Sequence, residues 1–443
     1  MEDLLRLNKG VILVYIIYNL LLILILIFYI PIILYKILKG RYNKEIKERF
    51  GIISEESKNK FKDNPTIWIH AVSVGETVAA SSVVENVRKK FPEYKIVFST
   101  VTNTGQKMAY KIIEENVDNI IYFPLDLSFV VKKAIKAINP DLVMIMETEL
   151  WPNFIKNANE NDSKIMYVNG RISEKSFKLY KYLGPILNDM LAKIDYFSMQ
   201  SALDAERIIN LGAEKSKVIN SGNTKFDQTY AEPDQDKIEK YRSEFQINKG
   251  QPVFVAGSTH DDEEENLLDI YLDLKERYPD LVFILAPRHV KRSDEIINMY
   301  KKENISVIKR TEIDKKNIGK EDIILLNTIG ELAQVYSVAD LVFVGGSMMG
   351  KGGHNILEPA AQGKLVFFGK DMFNFKDSTK LLLNNDVGIQ VNSWEELKKK
   401  LLFYLKNDDL LEKKGRKARK IILQNRGAAQ KNVELAEELL SNN

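Results

Sequence analysis

The chain has 443 residues, 45% of them hydrophobic and 28% charged, which excludes a disordered chain and exceeds what one core usually holds, so two domains are expected. A net charge of +3 gives no bulk electrostatic case for nucleic-acid binding. With no cysteine in the sequence, disulfides, thiolate metal sites and a cysteine nucleophile are excluded, and a reducing compartment fits.

The first element is an uncharged run, Gly10 to Tyr35, "GVILVYIIYNLLLILILIFYIPIILY". As a helix of about 26 residues it would reach roughly 39 Å, more than the roughly 30 Å of a bilayer core. Asn19 and Pro31 interrupt the run, and membrane helices tolerate both. It is too long for a signal peptide, and no small-x-small cleavage site follows. Residues 1–40 are therefore expected to be a single-pass membrane anchor. Lys36, Lys39, Arg41, Lys44, Lys47 and Arg49 follow the run, whereas Arg6 and Lys9 before it are offset by Glu2 and Asp3. This asymmetry places the body on the cytoplasmic side, with a basic collar suited to anionic headgroups.

From residue 66 short apolar strands alternate with helices: "TIWIHAVS", "KIVFST", "NIIYF", "LVMIME", "KIMYVN", "DYFSMQ" and "KVINSG", with helical stretches at 77–91 and 173–194. Such a rhythm predicts a parallel sheet covered on both faces over 41–228. Residues 229–250 are polar and break it, as a linker with a short helix would. It then resumes in 251–443 with "PVFVAGS", "LVFILAP", "ISVIK", "DIILLN", "LVFVGG", "KLVFFG" and "GIQV", closed by helices near 393–406, 409–424 and 428–441. The expected fold is α/β: two doubly wound, Rossmann-like domains whose facing cleft is the default binding site.

Polar motifs cluster where strands end. Glu76 in "HAVSVGE" opens a helix; a carboxylate there suits the helix dipole, and it could equally serve as a general base toward a sugar hydroxyl. Glu147 and Glu149 flank Thr148 before "LWPN". One could cap the next helix and the other face the cleft; strand alternation does not decide, and Glu149 is assigned to the cleft. In "GSTHDDEEE", Ser258 or Thr259 reads as a helix cap presenting N–H groups to an anion, which leaves His260 unexplained. "PRH" offers Arg288 as a fork for phosphate or carboxylate, with His289 beside it. "GGSMMGKGGHNILEPAAQG" (345–363) crosses from a strand to a helix with glycines at 345, 346, 350, 352, 353 and 363. It reads as a phosphate cradle lacking both the Walker spacing and the dinucleotide fingerprint, with Glu358 in the first helical turn able to accept from ribose hydroxyls. No metal is expected: the four histidines are scattered, and no H-x-x-x-H or strand-end D-x-D occurs.

Taken in order, "HAVSVGE", "METELWPN", "NGRIS", "GNTKFD", "GSTH", "PRH", "GGSMMGKGGHNILEPAAQGKLVFFG" and "FNF" resemble the segments of the 3-deoxy-D-manno-octulosonic acid (Kdo) transferases acting on the lipid A precursor, over nearly the whole chain. The resemblance implies an inverting glycosyltransferase of GT-B fold in lipopolysaccharide biosynthesis, seated in the inner membrane, with CMP-Kdo as donor and a lipid-linked glucosamine disaccharide bis-phosphate (lipid IVA) as acceptor, needing no cofactor and no metal. It further implies Glu76 as base and a CMP site of Ser258, Arg288, His289, Gly346, Ser347, Gly353, His354, Asn355 and Glu358. For the Kdo carboxylate or the acceptor, the contacts expected on this reading are Thr102, Thr104, Glu149, Arg171 and Lys225. One departure is Asn327 in "NTIGEL", where relatives have Asp. The competing expectations are a sugar-nucleotide epimerase or another GT-B transferase with a uridine donor, and a membrane-tethered nucleotide-sugar-binding protein without catalysis.

Overall fold

The structure is a computed structural model that describes residues 2–38, 43–147, 149–227, 234–315 and 323–441. Lys39 and Arg41 of the basic collar, Thr148, and the start of the expected linker at 229–233 lie outside the described residues. The chain divides into two compact units, Met1–Gln228 with Asn425–Asn443, and Thr229–Gln424.

In the first unit the strands are β1 (Thr66–His70), β2 (Lys95–Thr100), β3 (Asn119–Tyr122), β4 (Leu142–Met146), β5 (Lys164–Gly170), β6 (Tyr196–Met199) and β7 (Val218–Asn220). They form one parallel sheet in the order β3-β2-β1-β4-β5-β6-β7. Period-2 alternation feeds a core on each face: Trp68 and Val143 point into one, Ile67, Ile69 and Met144 into the other. The chain order reverses between β1 and β4, so the loops leaving these neighbours diverge and open a crevice at their carboxyl ends.

The second unit repeats the plan with β8 (Val253–Thr259), β9 (Val282–Pro287), β10 (Val307–Lys309), β11 (Ile323–Leu325), β12 (Leu341–Val344), β13 (Val366–Gly369) and β14 (Gly388–Val391). The order is β10-β11-β9-β8-β12-β13-β14, again parallel. Its reversal lies between β8 and β12.

Two expectations are corrected. The last helix, Ala428–Ser441, belongs to the first unit, not to a second domain running to 443. Its Ala429, Val433 and Ala436 join the core that holds Val83 and Val84, and the Asp227 carboxylate accepts from the amides of Gly427 and Ala429 at its start. The stretch 173–194 is two helices, Glu174–Tyr180 and Gly184–Ala192, because Gly184 turns at a φ of +46° and Pro185 cannot continue the first.

The N-terminal helix runs Glu2–Leu38, and its segment Gly10–Phe28 is long and apolar enough to cross a membrane. One stripe of this segment is fastened to the first unit. Tyr15 donates to Asp189 Oδ2 at 2.8 Å, Tyr18 to Asp126 Oδ2 at 2.9 Å, and Asn19 accepts from the Ser128 amide at 3.0 Å. Ile16, Leu20, Leu24 and Phe28, on the rest of its circumference, are exposed. Asp126 is buried and also accepts from the amides of Asn153 at 3.0 Å and Phe154 at 2.8 Å. Asp126→Ala is expected to strand these donors and cost about 3 kcal/mol, read as a lower unfolding midpoint. A change below about 0.5 kcal/mol would show that the junction contributes little.

Candidate active site

The loop leaving β1 carries Glu76 on the first turn of the helix Val74–Lys90. Its Oε2 accepts from the Val72 amide at 2.7 Å and its Oε1 from Ser73 Oγ at 3.1 Å. The carboxylate thus reaches back over the helix start as a cap does. Burial pushes its pKa above the ordinary carboxylate range, opposed by the Val72 amide, reinforced by the charge of Glu147, and opposed again by Ser73 and Lys225. A half-buried carboxylate with a raised pKa and a free lone pair has the properties of a general base.

The loop leaving β2 lies against the same peptide. Thr102 caps the helix Asn103–Ile112 by accepting from the Gly105 amide at 3.0 Å and donates to the Val72 carbonyl at 3.2 Å. Thr104 donates to Thr102 at 3.4 Å and is exposed. Gly105 is required here, since a Cβ would stand 2.9 Å from Thr102 Oγ1 and 3.1 Å from the Val72 oxygen.

The carboxylate whose charge bears on Glu76 is Glu147, which the sequence reading passed over for Glu149. Glu147 leaves β4 at a φ of +56°, a left-handed conformation uncommon for a residue with a side chain. Its Oε1 lies 2.8 Å from Lys225 Nζ, and the Asn169 amide reaches the same oxygen at 3.5 Å. Asn169 also sits at a φ of +54° and accepts from the Thr224 amide at 3.1 Å. Lys225 is thereby held by "GNTKFD" next to both carboxylates. Glu149 is half-buried and lends its charge to Tyr167 and Tyr180. The Arg171 amide donates to the Glu147 carbonyl at 3.3 Å.

In the second unit, β8 bulges against β9 between Gly257 and Thr259, with Ser258 at a φ of +56°, a device that re-aims the residues that follow. The helix Asp261–Arg277 is capped at His260, not at Ser258 or Thr259. The acids in its first turn are not all surface charge. Glu264 is buried, accepting from Thr259 Oγ1 at 3.0 Å and paired with Arg292 at 2.7 Å. Glu263, also buried, is the residue around which the glycine-rich loop is built. Its carboxylate accepts from the amides of Gly346 at 2.7 Å, Ser347 at 3.2 Å, Met348 at 3.2 Å and His260 at 3.1 Å.

That contact revises the phosphate-cradle expectation. The amides of Gly346 and Ser347 are occupied by Glu263, the Gly353 amide donates to the Gly346 carbonyl at 2.8 Å, and Ser347 Oγ donates to Val344 at 2.7 Å while accepting from Gly369 at 2.8 Å. The glycines serve internal approach: a Cβ on Gly345 would stand 2.6 Å from Glu263 Oε2. The helix after the loop, Leu357–Ala361, is too short for much dipole. Asn355 spans its start, accepting from Leu357 N at 3.0 Å and donating to Glu358 at 3.1 Å.

What the fold does bring together, beyond the ends of β8, β9 and β12, is a cluster of imidazoles within the field of Arg288. His260 Nε2 lies 2.9 Å from His354 Nε2, and the His260 and His289 rings meet edge-on with centroids 5.7 Å apart. Burial, then the charge of Arg288, then the neighbouring imidazoles hold His354 down to about 4. Burial, His289 and Lys351 lower His260. Burial raises Glu358, against Asn355 and Arg288. Sequence reasoning passed over Lys351 and Glu263, set Glu147 aside for Glu149, and left His260 after "GST" without a role. His70 is a core residue, stacked on Phe123 with centroids 3.8 Å apart and 2.9 Å from Ser99 Oγ. Asn327 Oδ1 accepts from the Thr311 amide at 3.1 Å and its Nδ2 donates to Thr311 Oγ1 at 3.0 Å. An ionised Asp could hold the same two partners by accepting from the Thr311 amide and from its hydroxyl, so Asn here keeps a loop contact that either residue can make.

Comparison with known proteins agrees with this architecture. Residues 44–228 match the family described as 3-deoxy-D-manno-octulosonic-acid transferase. The chain is 32% identical over 404 residues to the 3-deoxy-D-manno-octulosonic acid transferase of Haemophilus influenzae, covering 91% of this chain and 93% of that one. It is 39% identical over 387 residues to a bifunctional glycosyltransferase/methyltransferase of Fusobacterium nucleatum, covering 86% of this chain and 58% of that relative's length. A glycosyltransferase from Rickettsia africae shares the fold, with a TM-score of 0.50 and 17% identity over 86% of this chain and 100% of that one. The chain belongs to the 3-deoxy-D-manno-octulosonic acid transferase family of glycosyltransferases.

Proposed function

We propose that the chain transfers Kdo from CMP-Kdo, with inversion, to the glucosamine disaccharide bis-phosphate of the lipid A precursor, lipid IVA. One observation carries the reading: Glu76, a carboxylate with a raised pKa, lies at the switch point of the first unit, and Arg288 lies with the imidazoles of His260, His289 and His354 at that of the second. The acceptor hydroxyl is a weak nucleophile, so Glu76 takes its proton as attack proceeds. The cytidylate departs with added negative charge, which Arg288 and the histidines stabilise. Lys225 and Arg171 are the cations offered to the Kdo carboxylate, with Thr102, Thr104 and Glu149 at the acceptor side. Ser258, Asn355 and Glu358 complete the nucleotide site. The apolar segment Gly10–Phe28 holds the body on the cytoplasmic face of the inner membrane, where a lipid-linked acceptor resides.

The test is incubation of the full chain with CMP-Kdo and tetra-acylated disaccharide bis-phosphate, followed by the mass of the lipid. A gain of one or more Kdo units is expected; an unchanged lipid, or competition by UDP in place of CMP, would overturn the reading.

Since Glu76 must be ionised to act, kcat/KM should fall as pH drops through its raised pKa. Lys225→Met removes a positive charge that opposes the rise, so the acid limb should move to higher pH, read directly from the pH–rate profile. An unmoved limb would place Lys225 outside the field of the base.

A further inference from the structure

The contact between His260 and His354 constrains where protons can sit. Their Nε2 atoms are 2.9 Å apart, the ring planes differ by 6° and the centroids are 5.2 Å apart. The rings therefore lie end to end in one plane, joined by a straight hydrogen bond. One ring must present Nε2–H and the other a bare Nε2. A single added proton goes to the Nδ1 of the donating ring and makes the central bond charge-assisted. A second would set two N–H groups head to head, so the pair has room for one.

The surroundings are built for this contact. Gly346 sits at a φ of +67°, and a Cβ there would stand 2.8 Å from His354 Cδ2 and 3.4 Å from His260 Cδ2. Arg288, Lys351 and His289 bear on the pair with like charge, and Asp261 with opposite charge. Glu263 is turned to the loop amides and the His260 N–H, and Glu358 to Asn355. Burial and this field disfavour the charged form of the unliganded pair, and a phosphate beside it acts in the opposite sense.

We infer that His260 and His354 act as one proton-sharing pair that takes up a proton when the phosphate of a cytidine nucleotide binds, so that the departing phosphate meets a charged couple. This rests on the donor reading above. In the transfer the hydroxyl proton passes to Glu76 and the acceptor oxygen bonds to the anomeric carbon. The bond from that carbon to the phosphate oxygen breaks with its electron pair left on phosphate. The pair's proton is the hydrogen-bonded counter-charge to that oxygen, and no further reactant is needed.

The experiment is calorimetric titration of the full chain with CMP at about pH 7.5, where a phosphate monoester with a second pKa of about 6 is already dianionic, in two buffers of different ionisation heat. Net uptake approaching one proton is expected, with affinity falling as pH rises, by at most tenfold per unit. Cytidine, lacking the phosphate, should bind with no uptake. His260→Gln should bind CMP on the order of tenfold more weakly and lose the uptake. CMP binding by the unaltered chain without proton exchange would overturn the inference and leave the donor reading standing, as would uptake that persists in both His260→Gln and His354→Gln. Absence of any CMP binding would overturn the donor reading itself.

Discussion

Glu76→Ala is expected to slow transfer by about 10²–10⁴-fold, the usual contribution of a positioned general base, while CMP binding, measured by calorimetry, stays at the level of the unaltered chain. The carboxylate also caps its helix through the Val72 amide and Ser73, a role worth about 1 kcal/mol of stability. Glu76→Gln separates the two. The amide oxygen can still accept from Val72, but the side chain can no longer take a proton. Loss of turnover in both variants, with stability lost mainly in the alanine form, fits a base that is also a cap. Near-normal turnover in the glutamine form would reduce Glu76 to a positioning residue.

The second large effect is expected at Glu263, a residue with no reactive task. Glu263→Ala removes one carboxylate and strands four amide donors, on His260, Gly346, Ser347 and Met348. A buried donor left without a partner costs about 1–3 kcal/mol. Water will re-enter part of the site, so about 4 kcal/mol is expected for the set. Amide hydrogen exchange at 346–348 should accelerate accordingly, and CMP should bind more weakly, since His260 and His354 lose their common support. Exchange within tenfold of the unaltered chain would mean that the loop holds its shape without Glu263. Glu263→Gln should fall between the two, because its NH2 group must face a donor.

The strands of both units were legible from apolar runs bounded by turn residues, and right-handed crossovers narrow the possible orders, but only the structure shows which neighbours pair. Where the reading failed, the deciding quantity was a long-range approach. The final helix could not be assigned to a unit from its own pattern, since Ala429, Val433 and Ala436 would suit either core. Glu147 and Glu149 are chemically alike, and only the left-handed turn at Glu147, fixed by β5 and Lys225, selects one. The glycines of 345–353 advertise close approach without saying of what. The first two of them, Gly345 and Gly346, lie against the carboxylate of Glu263, which precedes them by more than eighty residues.

Two chemical facts are fixed in the amino-acid order itself: a carboxylate opening the helix after β1, and, in the second half, an Arg-His pair at a strand end and a His-Asn pair in a glycine-rich loop. An uncharged segment of membrane length is fixed there as well. Tertiary structure decided which of these groups meet. Hydrogen bonds and like charges act over a few ångströms, whereas residues 260 and 354, or 147 and 225, come within that range only after the sheets have assembled. Local sequence can supply a donor, an acceptor or a charge. Only the packed fold sets the distance that determines where a proton sits.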